Sequence, residues 1–476
     1  MSETASPLPA DEDNVVMTAS DLPTLKHGTL DLRHAIVISV AVMSPAASIF
    51  FNSVPQAGLV GAAIPLCYLI GFVLALLVAN QYSEFSRELP SSGSAYTFVT
   101  EGIGPGWGLL TAWIGIMAVL VGVPYSFVLM SANIQTLMQR WFGLNLHWSF
   151  WFVAAIGIVF AISYAGIRRS MSVDLTLLIF ETIICLILAL IVLFRVGEQG
   201  GLTAAPFTLA AVPANGDLTA GIIFSVLSFI GFETAATLGE ETRNPHRNIP
   251  RAVYGSMLVV GIFYVLMAYV ATVGYGIDHM VNGYAQDTAP FDTIGRRFGG
   301  GPLTAFIDIV GILSFFSAAI AIINGGARII FAVGRDGLLP RWLAWTHPVH
   351  HTPVGAILAL SLVGLVAGIG LGIFLSPIAA FAFLGTFDAM LILLLYLLVN
   401  IACIRFFWRK RRSQFHWLRH GLVPALSLLM VALILVAALA SPGDAPLNFI
   451  PYVLAVWVVL GLVVLLIVRK RLVVPV

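Results

Sequence analysis

The chain has 476 residues, of which 59% are hydrophobic and 10% charged, with a mean hydropathy of +0.97. Soluble domains are roughly 45–50% apolar and about 25% charged, so this composition excludes a water-soluble globule and leaves an integral membrane protein. The net charge of +1 decides little, and the three cysteines, Cys67, Cys185 and Cys403, all lie in apolar runs, which argues against a disulfide framework or a thiolate metal site.

Residues 1–32 are polar and acidic, with Glu3, Asp11, Glu12, Asp13, Asp21 and Asp31, and read as a cytosolic N-terminal tail. They lack the charged start, short apolar stretch and small-residue cleavage site of a removed signal peptide. Twelve apolar segments follow, at residues 35–60, 61–81, 106–138, 148–166, 170–194, 218–238, 252–277, 302–327, 353–375, 377–404, 421–441 and 447–468. With both termini in the cytosol, only Arg140, Arg195, Arg296 and Arg297 of the 24 Lys and Arg residues fall outside. That bias orients membrane helices, and omission of any one segment would scramble it, so twelve spans are expected.

In the first segment, Ser44-Pro45-Ala46-Ala47-Ser48 sets a proline at mid-membrane, where it removes a backbone donor and clashes with the preceding turn. Taken alone, Pro45 reads as a simple kink. The connection at residues 83–100, with Pro90, Ser91, Ser92 and Gly93, reads as a cytosolic turn into the third segment. That segment is too long for one perpendicular crossing, so it tilts or runs past the lipid. The sixth carries Gly231 and Glu233 at mid-depth, with Arg243, Arg247 and Arg251 beyond its end. A break in hydrocarbon is tolerated only where it lines a protein cavity. Interruptions at the first and sixth segments have the spacing of two inverted repeats, which favours one shared site over two independent kinks.

The carboxylates singled out within these spans are Glu181 in the fifth, Glu233 in the sixth, Asp308 in the eighth and Asp388 in the tenth; the basic candidate is Arg328, near the cytosolic end of the eighth. The interior is therefore acidic. An ionised carboxylate in hydrocarbon is costly, so each must be protonated, paired with a cation or facing water. Glu233 is expected to organise or gate the break, Asp308 to reach the outer interface, and Asp388 has no partner legible in the sequence. Gly364, Gly368 and Gly372 read as a packing stripe. His347, His350 and His351, beside Pro348 and Pro353, read as a solvated loop rather than a metal site. No nucleotide fingerprint or nucleic-acid patch is present, since topology and contact with anionic lipid heads account for the basic residues. No cofactor is expected, and nothing in the chain signals an oligomeric state.

Three stretches together carry a resemblance. They are Ser228-Phe229-Ile230-Gly231-Phe232-Glu233 followed by Gly239-Glu240-Glu241-Thr242-Arg243-Asn244-Pro245 and Asn248-Ile249-Pro250; Pro90-Ser91-Ser92-Gly93-Ser94-Ala95-Tyr96; and Arg328 with Gly334-Arg335-Asp336-Gly337-Leu338-Leu339-Pro340. In these the chain resembles the amino acid–polyamine–organocation transporter superfamily, over nearly everything after residue 25. It departs in the first helix, where many relatives have a Gly-rich break and this chain has Ser44-Pro45-Ala46-Ala47-Ser48.

The resemblance implies an all-α membrane protein of twelve transmembrane helices with a LeuT-type 5+5 inverted repeat. Residues 33–404 would form the transport core, with repeats at about 33–195 and 218–404, and residues 405–476 two extra helices with a basic loop. It implies no enzyme but a secondary active transporter of amino acids, amines or polyamines in the plasma (inner) membrane, with protons or exchange driving it. A transport-inactive ligand sensor and a channel are the alternatives. The implied substrate site comprises Ser44, Pro45, Ala46, Ala47, Ser48, Ser228, Phe229, Ile230, Gly231 and Phe232, where helix N-termini suit a carboxylate and helix C-termini an ammonium. Phe229 and Phe232 either close over ligand or simply pack. Coupling or gating falls to Glu181, Glu233, Arg328 and Asp388. Arg328, with Asp336, is expected to organise an inner gate, the alternative being that it snorkels to lipid heads. Glu181 stands where some relatives carry a lysine. As the opposite charge, it would carry protons, recognise a cationic amine directly, or serve only as a neutral structural acid.

Overall fold

The computed structural model describes residues 25, 27–287, 289–440 and 445–468. The expected tail up to residue 24, Lys26, and the C-terminal Arg469, Lys470 and Arg471 that enter the charge asymmetry lie outside the described residues. In chain order the α-helices are α1 (Leu32–Met43), α2 (Pro45–Val60), α3 (Ile64–Glu88), α4 (Ala95–Gly102), α5 (Pro105–Phe142), α6 (Trp148–Tyr164) and α7 (Ile167–Glu198). They continue with α8 (Leu218–Ser228), α9 (Pro245–Tyr275), α10 (Pro290–Arg335), α11 (Val354–Leu375), α12 (Pro377–Arg409), α13 (Val423–Ala440) and α14 (Ile450–Val468). Among the described residues, an isolated bridge between Leu30 and Thr242 is the only β pairing.

Ten stretches among the described residues are long and apolar enough to cross a membrane. The first two sequence segments run on as one stretch, Leu32–Glu88, because only the short 3₁₀ turn Gly61–Ala63 separates α2 from α3. The fourth segment appears as α6, a shorter apolar helix of 17 residues. At 38 residues α5 is about 57 Å long by its helical rise, well beyond a hydrocarbon core of about 30 Å. Leu190, Phe194, Val366, Phe374 and Ile467 are all exposed on the outside, as a lipid-facing surface requires.

Both anticipated interruptions are present, and local chemistry accounts for each. α1 ends at Ser44, a left-handed residue with φ 42°, and Pro45 opens α2, where its missing amide is one that a helix start leaves unpaired anyway. α8 ends at Ser228, Gly231 takes φ 118°, and the chain resumes as a 3₁₀ helix at Phe232–Leu238. Glycine is required at 231 twice over: its φ disfavours any side chain, and a Cβ there would come within 2.4 Å of Val42 Cγ1. The two breaks are thus in contact. Around them α3 packs along α9, α5 along α12, and α10 against both α5 and α7. On α11, Gly364, Gly368 and Gly372 receive Val123, Phe152 and Trp148 at distances that leave no room for a side chain.

Candidate functional site

Hydrogen bonds between distant segments hold the paired breaks open. Tyr264 on α9 points its hydroxyl at the carbonyl of Met43 (2.7 Å), freed where α1 ends, and at that of Ser228 (2.9 Å), freed where α8 ends. One phenolic proton cannot serve two acceptors fully, so the hydroxyl is shared between the breaks. Ser48 Oγ donates to the same Met43 carbonyl (2.8 Å), and Ser44 and Ser48 face each other at 3.4 Å. Asn52 donates to Ser228 Oγ (2.9 Å). From α1, Ser39 donates to the Phe232 carbonyl (2.6 Å) and accepts the Ala235 amide (2.9 Å), fixing the 3₁₀ segment.

Beside the breaks lies a cavity of about 780 Å³, its open mouth included, between α1, α4, α5, α10, α12 and the second break. Its wall includes Ile230, Gly231, Glu233 and Asp388 of the expected residues, together with Val42 and Tyr96. Ser44, Pro45, Ala46, Ala47, Ser48, Ser228, Phe229 and Phe232 are not on this wall. Pro45, Ala46 and Ala47 are buried, and the Ala47 amide donates to Ser314 Oγ on α10 (3.1 Å). Phe229 packs edge-on against Tyr264 with ring centres 5.1 Å apart, and Phe232 packs edge-on against Tyr82 at 5.7 Å and tilted against Tyr396 at 5.6 Å. Both aromatics are spent on packing here.

The cavity wall carries two carboxyl groups and, among the described residues, no Lys, Arg or His. Glu233 accepts the Gly231 amide (3.0 Å) and the Tyr396 hydroxyl (2.8 Å), so it caps the turn that it follows. Asp388 lies against Gly122 of α5, and its Oδ1 has no protein hydrogen-bond partner. An acid cavity of this kind attracts an ammonium group and repels a net anion.

At the Arg335 end of the helices, polar clasps join the turns around this cavity. Arg335 donates twice to Glu240, at 2.9 and 3.0 Å, and Ser92 donates to Glu240 from both its amide and its hydroxyl. Burial alone would raise the Glu240 carboxyl, but the bonds from Arg335 and Ser92 outweigh it and hold the group below the usual carboxylate range. Tyr96 donates to Asp336 (2.7 Å). Arg328 is fully buried, so it does not snorkel; it pairs with Glu241 and donates to the Asn324 carbonyl (2.6 Å), while Asp336 takes Tyr96 instead. Asp308 is met by Arg140 at 2.9 Å. His347 accepts the amides of Val349 and His350 at 3.1 Å, which makes it a turn cap.

Glu181 is buried on α7, facing Ser314, whose oxygen takes the Ala47 amide. Two helical turns earlier on the same face lies Asp174, also fully buried, accepting from Ser317 Oγ of α10 (3.1 Å). Sequence reasoning passed over both Asp174 and Tyr264: Asp174 lies within the fifth apolar segment, a few residues after Arg168 and Arg169, and Tyr264 lies in an unbroken apolar run. The signal in both cases is a polar atom deep in the packed interior, which only the fold reveals.

The sequence profile of the family described as amino acid permease matches residues 30–465. The chain is 26% identical over 374 residues to the branched-chain amino acid permease BcaP of Lactococcus lactis subsp. cremoris (strain MG1363), covering 75% of this chain and 76% of that one. It is similar to BcaP of Bacillus subtilis (strain 168) at 26% identity over 311 residues, 62% of this chain and 64%, just under two thirds, of the relative. It is 25% identical over 394 residues to the low-affinity putrescine importer PlaP of Escherichia coli (strain K12), covering 81% of this chain and 82% of that one. Among solved structures, that of Mhp1, a nucleobase-cation-symport-1 family transporter in a closed conformation with bromovinylhydantoin bound, matches with a TM-score of 0.57. That match covers 91% of this chain and 99% of the other at 13% identity, a likeness of fold alone.

Proposed function

The chain belongs to the amino acid permease family, and from that premise we propose that it is a secondary active transporter of small amines or amino acids bearing an ammonium group. It works by alternating access, with twelve crossings in a 5+5 inverted repeat plus two further helices, and with both termini on the cytosolic side of the plasma membrane. The observation that carries the substrate reading is the cavity wall: Glu233 and Asp388 with no basic side chain among the lining residues. An ammonium would sit against these carboxylates. The carboxylate of an amino acid would turn to the start of the 3₁₀ segment beside Gly231, where a helix N-terminus carries partial positive charge.

Two features support alternating access. Phe51, Phe315, Phe381 and Tyr125 pack ring against ring on the side of Asp388 toward the start of α12. On the opposite side, the clasps of Glu240 with Arg335 and of Tyr96 with Asp336 join separate turns and can open without unfolding a helix. Glu181, buried beside the first break, is the group assigned to proton coupling. The test is uptake of labelled putrescine and labelled leucine into liposomes holding the purified protein, with and without an inward proton gradient. Saturable uptake of either, raised by the gradient, is the expected result. Binding without flux would assign a sensor, and unsaturable current a channel.

A further inference from the structure

We infer that Asp174 is a second proton-carrying carboxyl, which exchanges protons with Glu181 and extends the coupling route from the helix break toward the Arg328 end of the bundle. The inference rests on the proton-coupled reading above. The helices α7 and α10 run antiparallel, and their facing residues form successive polar rungs. Glu181 faces Ser314, Asp174 accepts from Ser317 (3.1 Å), and Asn324 donates to Ser170 (3.2 Å) and, on α6, to Ser163 (3.3 Å). Beyond them Arg328 donates to the Asn324 carbonyl and pairs with Glu241. At each of these three levels both helices contribute a polar group to the packed interior.

A packing role accounts poorly for Asp174. A buried carboxyl that served only to hold Ser317 would have its second oxygen satisfied too, yet Asp174 Oδ2 has no partner, and neither oxygen of Glu181 makes a well-formed protein hydrogen bond. Both side chains are fully buried. Unpaired carboxyl oxygens in such a place are costly in a static structure and useful in one that binds and releases protons. Seven residues of helix separate the two acids by about 10.5 Å along the axis, too far for direct transfer. Ser314 and Ser317 lie one turn apart on the opposing face. With a water bridging the two hydroxyls, each can accept a proton from one side as it gives its own to the other, so that a proton leaving Glu181 would reach Asp174 with no net change at the serines.

Few other groups face the seam. On α7 itself Cys185 neighbours Glu181; α9 contributes the Tyr264 hydroxyl; α10 contributes only Ser314, Ser317 and Asn324 before Arg328. α2 carries no titratable side chain, α6 only Tyr164, and His34 of α1 lies toward Arg168 at the start of α7. Among the described residues, no Lys or Arg pairs with Asp174, whose hydrogen bond is from Ser317.

The test uses the full-length protein in liposomes, with whichever of labelled putrescine and labelled leucine the wild type accumulates. Counterflow of substrate, which needs no net proton movement, is measured beside accumulation driven by an inward proton gradient and beside acidification of the lumen. D174N keeps the Ser317 bond but cannot titrate. It is expected to lose accumulation and acidification by about tenfold or more while counterflow stays near wild type, and D174E is expected to restore part of the loss. Unchanged accumulation and acidification in D174N would overturn the inference. Loss of counterflow as well, in both variants, would make Asp174 a structural residue and overturn it equally. If the wild type shows counterflow but neither accumulation nor acidification, proton coupling itself fails, and the wild-type traces alone distinguish that result.

Discussion

The hydroxyl of Tyr264 lies 2.7 Å from the carbonyl oxygen of Met43, at the point where the first helix stops and the second has not begun. The same hydroxyl reaches the Ser228 carbonyl at 2.9 Å, so a single side chain on α9 ties together two breaks that are far apart in the chain. Tyr264→Phe removes that tie and leaves Met43 O with Ser48 alone and Ser228 O without this donor. Leaving a buried acceptor unsatisfied costs about 1–3 kcal/mol. A substrate that binds between the breaks should therefore bind roughly tenfold more weakly in this variant, measured by thermal shift against substrate concentration. Wild-type affinity in Tyr264→Phe would separate the breaks from the binding site.

Asp388 and Glu233 make the cavity acidic, and their removal should be felt by charge. In Asp388→Asn the affinity for putrescine is expected to fall by about 10- to 100-fold, in line with about 1.5–3 kcal/mol for a hydrogen bond to a charged group. A neutral amino acid should lose less. Glu233→Gln also weakens the cap on the Gly231 amide, so it is expected to lower transport of every substrate and not only of cations. Competition of each ligand against labelled putrescine or leucine checks both statements; equal losses for putrescine and leucine in Asp388→Asn would refute the assignment of Asp388 to an ammonium.

The clasp between Glu240 and Arg335 lies outside the membrane-spanning stretches on the Glu240 side, and its pH dependence has a definite sign. Its carboxyl titrates below the usual range, so the stabilisation is present above the ordinary carboxylate pKa and is lost only as pH falls through the lower folded value. Between pH ~5.5 and ~8 the clasp is constant. Glu240→Gln should lower thermal stability at pH 7 by about 1–2 kcal/mol, discounted because the pair is partly solvated. The difference from wild type should shrink only in stronger acid. A difference that changes between pH 6 and 8 would contradict this.

The orientation is open to direct labelling. Single cysteines at Arg247 and Arg411 should react with an impermeant thiol reagent only in inverted vesicles, and those at Asp217 and Asp287 only in intact cells. Reaction at Arg247 or Arg411 from the outside would reject the placement of both termini in the cytosol.

Membrane residence, the approximate position of the long apolar helices and the location of both interruptions were legible in the sequence, whereas the short helix α4 lies in a stretch that read as a turn. Apolar length and the conformational rules of proline and glycine act within a few residues, so Pro45 and Gly231 declare themselves in their own segments. The acidity of the interior was legible for the same reason. Which of these residues meet is set by helix packing. Tyr264 finds Ser228 across 36 residues, Arg328 finds Glu241 across 87, and Asp174 finds Ser317 across 143. The wall of the cavity also departs from the line of the breaks, taking in Ile230, Gly231, Glu233 and Asp388 while Phe229 and Phe232 turn into aromatic packing. Side-chain pairing between helices depends on their mutual rotation and register, which tertiary packing sets and which no short run of residues encodes.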